Sequence, residues 1–158
     1  MARRTLLSSL AVLAAALIAP AAAPALIQVD RGIAGARLNN SQAEVRAALG
    51  KPARIIRDRN IFGPTLTFVY RGGITVFFQG RRNVTAVFTT GRGDRTVRGV
   101  GVGSTEQAVR NRVPGVRCDT VSGTRSCHTN EFEPGQRVTD FRIRNGRVTR
   151  VAVSFVID

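Results

Sequence analysis

Three of the four residues of Val84-Thr85-Ala86-Val87 return 64 positions later, in Val148-Thr149-Arg150-Val151, where only Ala86 is replaced. The same spacing, with no gap introduced, links further residues on both sides of this stretch. It relates Asp30-Arg31 to Asp94-Arg95, Gly35 to Gly99, Val45-Arg46 to Val109-Arg110, Thr75 to Thr139 and Phe77 to Phe141. A constant spacing over a whole segment indicates two copies of one structural unit. The spacing predicts architecture and says nothing about activity.

Each copy is predicted to begin with a short helix. In the first copy, Ser41-Gln42-Ala43-Glu44 is typical of a capping box, and Gly50 and Pro52 end the helix. In the second copy, residues 104–107 begin the helix and Pro114-Gly115 ends it. Helices of about two to three turns are too short to be stable alone in water. They are therefore expected to pack on a sheet.

The remainder of each copy alternates apolar and polar residues with period two, which is typical of strands. The strands of the first copy are expected at residues 53–59, 65–70, 74–78 and 84–88, with 53–59 at a sheet edge. Those of the second copy are expected at residues 116–121, 124–130, 138–144 and 147–157. Apolar parity switches between Val148 and Val151, which indicates a β-bulge.

We therefore predict an α+β fold of two tandem units, each a helix followed by four antiparallel strands. The units would form one curved sheet with both helices on one face and the other face open. The first unit is placed at residues 26–92 and the second at residues 93–158, with a hinge at residues 89–94. A unit of roughly 65 residues is marginally stable alone, so the two units are expected to share their sheet.

Residues 1–25 are predicted to be a signal peptide. Arg3 and Arg4 precede an apolar run at residues 6–18, and Ala23-Pro24-Ala25 offers small residues for cleavage after Ala25. An uncleaved membrane anchor is the alternative, but the run is shorter than the roughly 20 residues of a span. The paired arginines also resemble a twin-arginine export signal. The chain is expected to be extracellular, or to stay in the periplasm or cell envelope without a transmembrane anchor.

Beyond residue 25 the chain carries 22 basic and 10 acidic residues, a formal charge of +12. Lys51 is the only lysine, so arginine supplies nearly all of the positive charge. Such a chain is attracted to polyanions. Scattered arginines are also typical of an ordinary solvated surface, so the charge alone does not define a partner.

Cys118 and Cys127 flank Ser122-Gly123, which suits a two-residue hairpin turn. Such a turn would place the two cysteines directly opposite each other, at a separation that suits a disulfide. Exported proteins keep such bonds, so we predict a structural disulfide. The alternatives are a redox pair or a zinc site with His128. The spacing is not C-x-x-C, and a fourth zinc ligand is missing.

Residues 35–52 carry the pattern Gly-x-x-x-x-x-Ser-x-x-x-Val-x-x-x-Leu-Gly-x-Pro, followed by the predicted antiparallel strands. This pattern resembles the SmpA/OmlA outer-membrane assembly lipoproteins. Its tandem use in an exported chain with a short-range disulfide resembles the β-lactamase inhibitory protein fold. The resemblance covers residues 32–157 and implies binding of other proteins over an open, concave sheet. The chain departs from it by lacking a lipidation cysteine and by having no Trp and one Tyr.

No catalytic constellation is recognised in the sequence. His128, the only histidine, has no nucleophile and orienting group around it in a catalytic pattern. Glu131 and Glu133 precede Pro134-Gly135, which favours a solvated loop over a hydrolytic carboxylate pair. The glycines of residues 99–103 suit a helix cap better than a phosphate loop. We therefore predict a non-enzymatic protein with no cofactor and no metal.

The candidate binding residues are two aromatics and three arginines. Phe77 and Phe141 are assigned to the open sheet face, although the parity of the second copy suits Phe141 equally well as a core residue. Arg142, Arg144 and Arg150 project from the last hairpin as a basic rim able to bind carboxylates or phosphates. Other arginines expected to join the rim are Arg81, Arg82, Arg92, Arg95 and Arg98.

We predict a secreted, monomeric module that binds an unidentified protein through the open sheet face. The alternative is a basic, envelope-associated protein that binds anionic polymers, whose affinity would fall steeply with salt. A third option is an enzyme of unfamiliar type. Nucleic acid is disfavoured because the chain is exported and its phenylalanines fit core positions rather than exposed stacking positions.

Overall fold

The computed structural model of the protein describes residues 26–157. The predicted signal peptide, its cleavage site and the twin-arginine pattern lie outside the described residues. Neither helix found between residues 26 and 157 has the length and hydrophobicity needed to cross a bilayer.

The described chain is mostly β, with 48% of residues in strands and 11% in helices. In chain order the elements are β1 (Leu26–Gln28), β2 (Gly32–Ile33), β3 (Ala36–Arg37), α1 (Gln42–Leu49), β4 (Arg54–Asn60), β5 (Gly63–Val69), β6 (Ile74–Gln79), β7 (Ala86–Thr89), β8 (Arg95–Thr96), α2 (Glu106–Arg112), β9 (Arg117–Val121), β10 (Thr124–His128), β11 (Arg137–Arg144) and β12 (Arg147–Phe155).

The predicted α+β fold of two helix-plus-four-strand units is wrong. The described residues form twelve strands in two sheets, with only two short helices. The missed part is a four-stranded sheet in the order β3-β2-β1-β8, in which β1 and β8 pair in parallel with Leu26 opposite Arg95. Strands of two or three residues are too short to show a period-two alternation, so hydrophobic periodicity could not reveal them.

The larger sheet has eight strands in the order β4-β5-β6-β7-β12-β11-β10-β9, and every neighbouring pair is antiparallel. β4 lies at one edge, which confirms the predicted edge strand. The register between β11 and β12 shifts after Arg142, which lies opposite Arg150, so that Ile143 lies opposite Val148. The predicted bulge in the last strand is confirmed. The disulfide between Cys118 and Cys127 joins β9 to β10, also as predicted.

Several contacts recur at the 64-residue spacing where the chain enters each helix. Asn39 N–H donates to the carbonyl of Val84, and Gly103 N–H donates to the carbonyl of Val148. Ser41 and Thr105 cap the two helices, each accepting a bond from a backbone N–H three residues later. Residues that are buried at both positions of the spacing are Val45 and Val109, Val84 and Val148, and Val87 and Val151.

The core lies on one face of the larger sheet, beneath both helices and the small sheet. Its largest fully buried side chains are Phe68, Phe78 and Phe141. The rings of Phe68 and Phe78 meet edge to face, with centroids 4.9 Å apart. Val45 and Ile27 show that a helix and the small sheet both contribute to this one cluster. Within residues 26–157, no helix or strand covers the opposite face, which we call the open face.

Candidate functional site

Two half-buried aromatic side chains lie near the centre of the open face. Phe77 of β6 lies opposite Ala86, and Phe88 of β7 lies opposite Ala152 of β12. Strand alternation directs both rings away from the core, because their neighbour Val87 points into it. The small alanine side chains beside the rings leave the two phenylalanines as the largest groups of this central region.

Phe141 does not lie on the open face, so that assignment is wrong. It is fully buried and lies opposite Val151, which is also in the core. Within β11, Phe141 alternates regularly with its neighbours and shares the core side with the buried Thr139 and Ile143, whereas Phe77 at the equivalent position of the spacing lies on the open side. The 64-residue spacing therefore holds at the helix entries and fails for these two strands.

Sequence reasoning missed Phe88. The even spacing of Val84, Ala86 and Phe88 indicates a single core-facing row. The structure begins β7 only at Ala86, and Val84 lies outside the strand, in the contact with residue 39. The signal that could have revealed this is Val87, an apolar residue of the opposite parity.

The structure brings Arg142, Arg144 and Arg150 around one shallow depression at the end of the β11–β12 hairpin. Arg142 lies directly opposite Arg150, and Arg144 lies directly opposite Arg147. Like charges that face each other across a strand pair destabilise the pair. Among the described residues, none of these four arginines has a carboxylate within ion-pair distance.

Weaker contacts hold three of these side chains in place. Arg150 lies 5.2 Å from the ring centroid of Phe88, in a cation–π contact. Arg142 donates to the hydroxyl of Thr124 at 3.4 Å, and Arg147 donates to a backbone carbonyl at 2.9 Å. These contacts leave most of the guanidinium donors available to a ligand.

The wider basic rim forms only in part. Arg92 lines a neighbouring depression with Arg144 and Arg147, and so extends the arginine group. Arg81 and Arg95 instead donate to backbone carbonyl groups elsewhere. The remaining predicted members are Arg82, which is exposed beside Arg81, and Arg98, which lines a separate apolar depression.

His128 is buried on the open-face side of β10, and both of its ring nitrogens are bonded. Nδ1 lies 2.9 Å from the carbonyl oxygen of Asn130, and Nε2 lies 3.1 Å from a carboxylate oxygen of Asp119. Both partners are acceptors, so the two bonds together require the doubly protonated ring. Burial lowers the pKa of His128, but the bonds to Asp119 and Asn130 and the charge of Asp119 outweigh it and raise the pKa. Neither nitrogen is free to act as a general base toward Ser126, its neighbour on this face.

Asp140 lies directly opposite His128 in the neighbouring strand. Burial raises the pKa of Asp140, and the hydrogen bond from Ser126 and the charges of Arg150, His128 and Arg142 oppose that shift. Its Oδ1 atom is buried and has no hydrogen-bond partner among the described residues. A buried acceptor without a donor is uncommon in native proteins, and its burial keeps this oxygen out of contact with solvent.

Within residues 26–157, one group of side chains has the spacing of a metal site, namely Glu106, Cys118 and Cys127. Both sulfur atoms are in the disulfide, so they offer no thiolate. The carboxylate of Glu106 pairs with Arg110 at 2.9 Å and with Arg125 at 2.5 Å. These arginines lower the pKa of Glu106 and already occupy its oxygens. The group is therefore structural.

No protein-family model matches the chain, and no curated protein matches it. The solved structures that match the chain include the following three. An extracellular protein containing an SCP domain from Bacillus anthracis str. Ames has a TM-score of 0.50 and 11% identity, covering 75% of this chain and 44% of its own. A cysteine-rich secretory protein from Staphylococcus aureus subsp. aureus Mu50 has a TM-score of 0.47 and 12% identity, with 75% and 44% covered.

The third is a DUF4309 family protein from Bacillus subtilis subsp. subtilis str. 168, with a TM-score of 0.48 and 20% identity, covering 77% of this chain and 82% of its own. The chain spans less than half the length of the first two proteins. At these identities the likeness concerns the fold alone. None of the three is described as an outer-membrane assembly lipoprotein or a β-lactamase inhibitory protein.

Proposed function

We propose that this protein is an exported, non-enzymatic module that binds a protein carrying an acidic surface segment through its open sheet face. The proposal rests on one observation: at one end of that face, two arginines lie directly opposite two others across the hairpin. Export is supported by the signal-like residues 1–25 and by the disulfide, which suits an oxidising compartment. The resemblance to open-sheet binding families remains part of the proposal.

The arginine pairs favour an acidic partner. In the free protein, Arg142 faces Arg150 and Arg144 faces Arg147, with no nearby carboxylate in ion-pair contact among the described residues. Carboxylates placed between these guanidinium groups would replace repulsion with bidentate, charge-assisted hydrogen bonds. Binding would therefore relieve a strain that the free hairpin carries.

The centre of the open face supplies the apolar part of the interface. Phe77 and Phe88 are half-buried, so each still offers ring surface to a partner. Buried aromatic anchors contribute most of the energy of typical interfaces. Arg150 joins this region to the basic end because its guanidinium lies over the ring of Phe88.

The alternative is an anionic envelope polymer. A polymer is matched best by a long basic stripe, and the arginines here are concentrated at one end of a face whose centre is apolar. This confinement favours a protein partner. The two functions differ in their response to salt, because counterion release drives polymer binding and little else contributes.

The proposal is tested by capture of exported and envelope proteins of the source on the immobilised protein, with washes at low and then high salt. Three variants are compared: Phe77→Ala with Phe88→Ala, Arg142→Gln with Arg150→Gln, and the exposed Val121→Ala as the matched control. We expect one protein that survives high salt on the wild type and the control and is lost from both double variants. Retention that no variant changes, or material that all elutes with salt, contradicts the proposal.

A further inference from the structure

The β4–β5 hairpin carries an unusual share of exposed apolar surface. Four of the nine large hydrophobic side chains that are exposed in residues 26–157 lie on it: Ile55 at 36%, Ile56 at 38%, Ile61 at 91% and Phe62 at 49%. A cluster of exposed apolar side chains on a soluble chain marks a contact site more often than isolated ones do. This cluster lies at the edge of the larger sheet opposite the disulfide.

The edge itself is regular and unprotected. All seven residues of β4 are exposed, and all seven pair with β5 without a register shift. Its outer side therefore presents a row of backbone N–H and C=O groups with no strand partner within residues 26–157. The opposite edge, β9, has five residues and is fixed to β10 by the disulfide.

The core side of β4 carries only basic charge, whereas its open side carries both Arg54 and Asp58. Ile55, Arg57 and Arg59 lie opposite Phe68, Leu66 and Pro64, on the core side of the sheet. Among the described residues, neither Arg57 nor Arg59 has a carboxylate in ion-pair contact. The side chains of Ile56 and Asp58 alternate with them and point to the open side.

We propose that β4 is a docking edge for an extended, acidic segment of a partner protein, which adds to the larger sheet as a further strand. The segment carries acidic side chains two positions apart, next to Arg57 and Arg59, and apolar side chains where it passes Ile55 and Ile56. The backbone bonds of strand addition supply affinity, and the alternating side chains supply specificity.

Charge selects this occupant over a second copy of the chain. Antiparallel pairing of two β4 strands about Asp58 would place Arg57 of each copy opposite Arg59 of the other and the two Asp58 carboxylates opposite each other, and like charges directly opposite are destabilising. Arginines on an edge strand oppose self-pairing in this way. The same side chains attract a strand with carboxylates at alternate positions. This edge lies apart from the arginine pairs of the β11–β12 hairpin, so the inference does not depend on the proposed open-face function.

The test uses the full protein and a fluorescein-labelled ten-residue peptide that alternates Glu with Val, followed by fluorescence anisotropy. A Lys–Val peptide of the same length is the control for charge. We expect the Glu peptide to bind at least about tenfold more tightly than the Lys peptide, because like-charge contacts are costly at an interface. Arg57→Glu with Arg59→Glu should invert this preference, and circular dichroism should show an unchanged fold, since both side chains are exposed.

Two further measurements separate strand addition from simple charge attraction. Two peptides are N-methylated at every second residue, one at the odd positions and one at the even positions. Only one edge of the peptide pairs with β4, so one of these peptides should lose binding and the other should keep it. Arg98→Glu with Arg112→Glu makes the same change in net charge at exposed residues outside both β4 and the β11–β12 hairpin, and should leave peptide binding within about twofold. The inference is overturned if both methylated peptides bind equally well, or if the two charge reversals weaken binding equally.

Discussion

Arg142 lies directly opposite Arg150 across β11 and β12, and the pair that closes the same hairpin, Arg144 and Arg147, also consists of two arginines. Two successive like-charge pairs at a hairpin end oppose strand pairing in the free protein. The hairpin nevertheless forms, held by the apolar residues Val148 and Val151 on the core side. The cost of the arginine pairs should therefore be measurable as a stability gain when one charge is reversed.

Arg144→Glu is expected to raise the free energy of unfolding by about 0.2–1 kcal/mol, because it turns the repulsion from Arg147 into attraction. Urea denaturation at low ionic strength measures the change. In about 1 M salt the gain should shrink, since screening weakens exposed pairs. Arg59 lies opposite the uncharged Pro64, so Arg59→Glu is the matched control. It should not show the same gain in stability. Equal effects of the two substitutions would rule out this origin of the gain.

Phe141→Ala is expected to lower the free energy of unfolding by about 3–5 kcal/mol, because it empties a fully buried site. Phe77→Ala should cost only about 1 kcal/mol, since that ring is half-buried on the open face. Chemical denaturation of the two single variants gives the comparison directly. A loss from Phe77→Ala as large as that from Phe141→Ala would place both rings in a core.

Reduction of the bond between Cys118 and Cys127 is expected to lower the free energy of unfolding by about 2–3 kcal/mol, because it releases a constraint on the unfolded chain. Denaturation with and without reductant measures this loss, and intact mass should rise by two protons on reduction. The Cys118→Ser, Cys127→Ser double variant should match the reduced protein and be insensitive to reductant. A reductant effect that persists in this variant would point to another cause.

Stability is expected to fall as pH rises above the ordinary pKa of 6.5 because of His128. Its folded pKa is raised above the ordinary value of 6.5, so its contribution is fully present below that value and is lost as pH rises through the folded value. Asp140, which faces His128, also has a raised pKa, but its contribution is lost in a window that begins near 3.8.

Asp119→Asn tests the assignment to His128, since it removes the carboxylate that bonds Nε2 while keeping the side-chain shape. Denaturation between about pH 6 and 8.5 should show a shallower fall in this variant than in the wild type. Glu133→Gln, an exposed acidic residue outside this contact, serves as the control. An identical slope in Asp119→Asn and the wild type would contradict the role of this pair.

Features that depend on neighbouring residues could be predicted from the sequence. The capping box at Ser41 and the register that pairs Cys118 with Cys127 are local, and both are present. The bulge near Val148 could be predicted because a strand changes the parity of its apolar face where it carries an extra residue. These features need only the chain within about ten residues, where turn and helix geometry are fixed.

The rest depends on contacts between distant segments. The small sheet is built from two- and three-residue strands that meet only in the folded chain. The prediction did not include this sheet, and its fold class is therefore wrong. The sequence places Phe141 and Phe88 on the wrong faces because alternation gives relative faces within a strand, and which face is the core is decided by packing. The basic rim is also smaller than predicted, because packing decides which groups the arginines bind. Arg81 and Arg95 donate to backbone carbonyl groups that are not their neighbours in sequence.

The hydrogen bonds of Asp30 bear on the order in which the chain folds. Asp30 accepts a bond from Thr139, which lies 109 positions later in the chain, and β1 must wait for β8 before it can pair on that side. Contacts between such distant positions slow folding, because a long loop must close before they form. The earliest segment is thus completed only by one of the last to be synthesised. A chain with this dependence cannot complete the contacts of Asp30 until Thr139 has been synthesised.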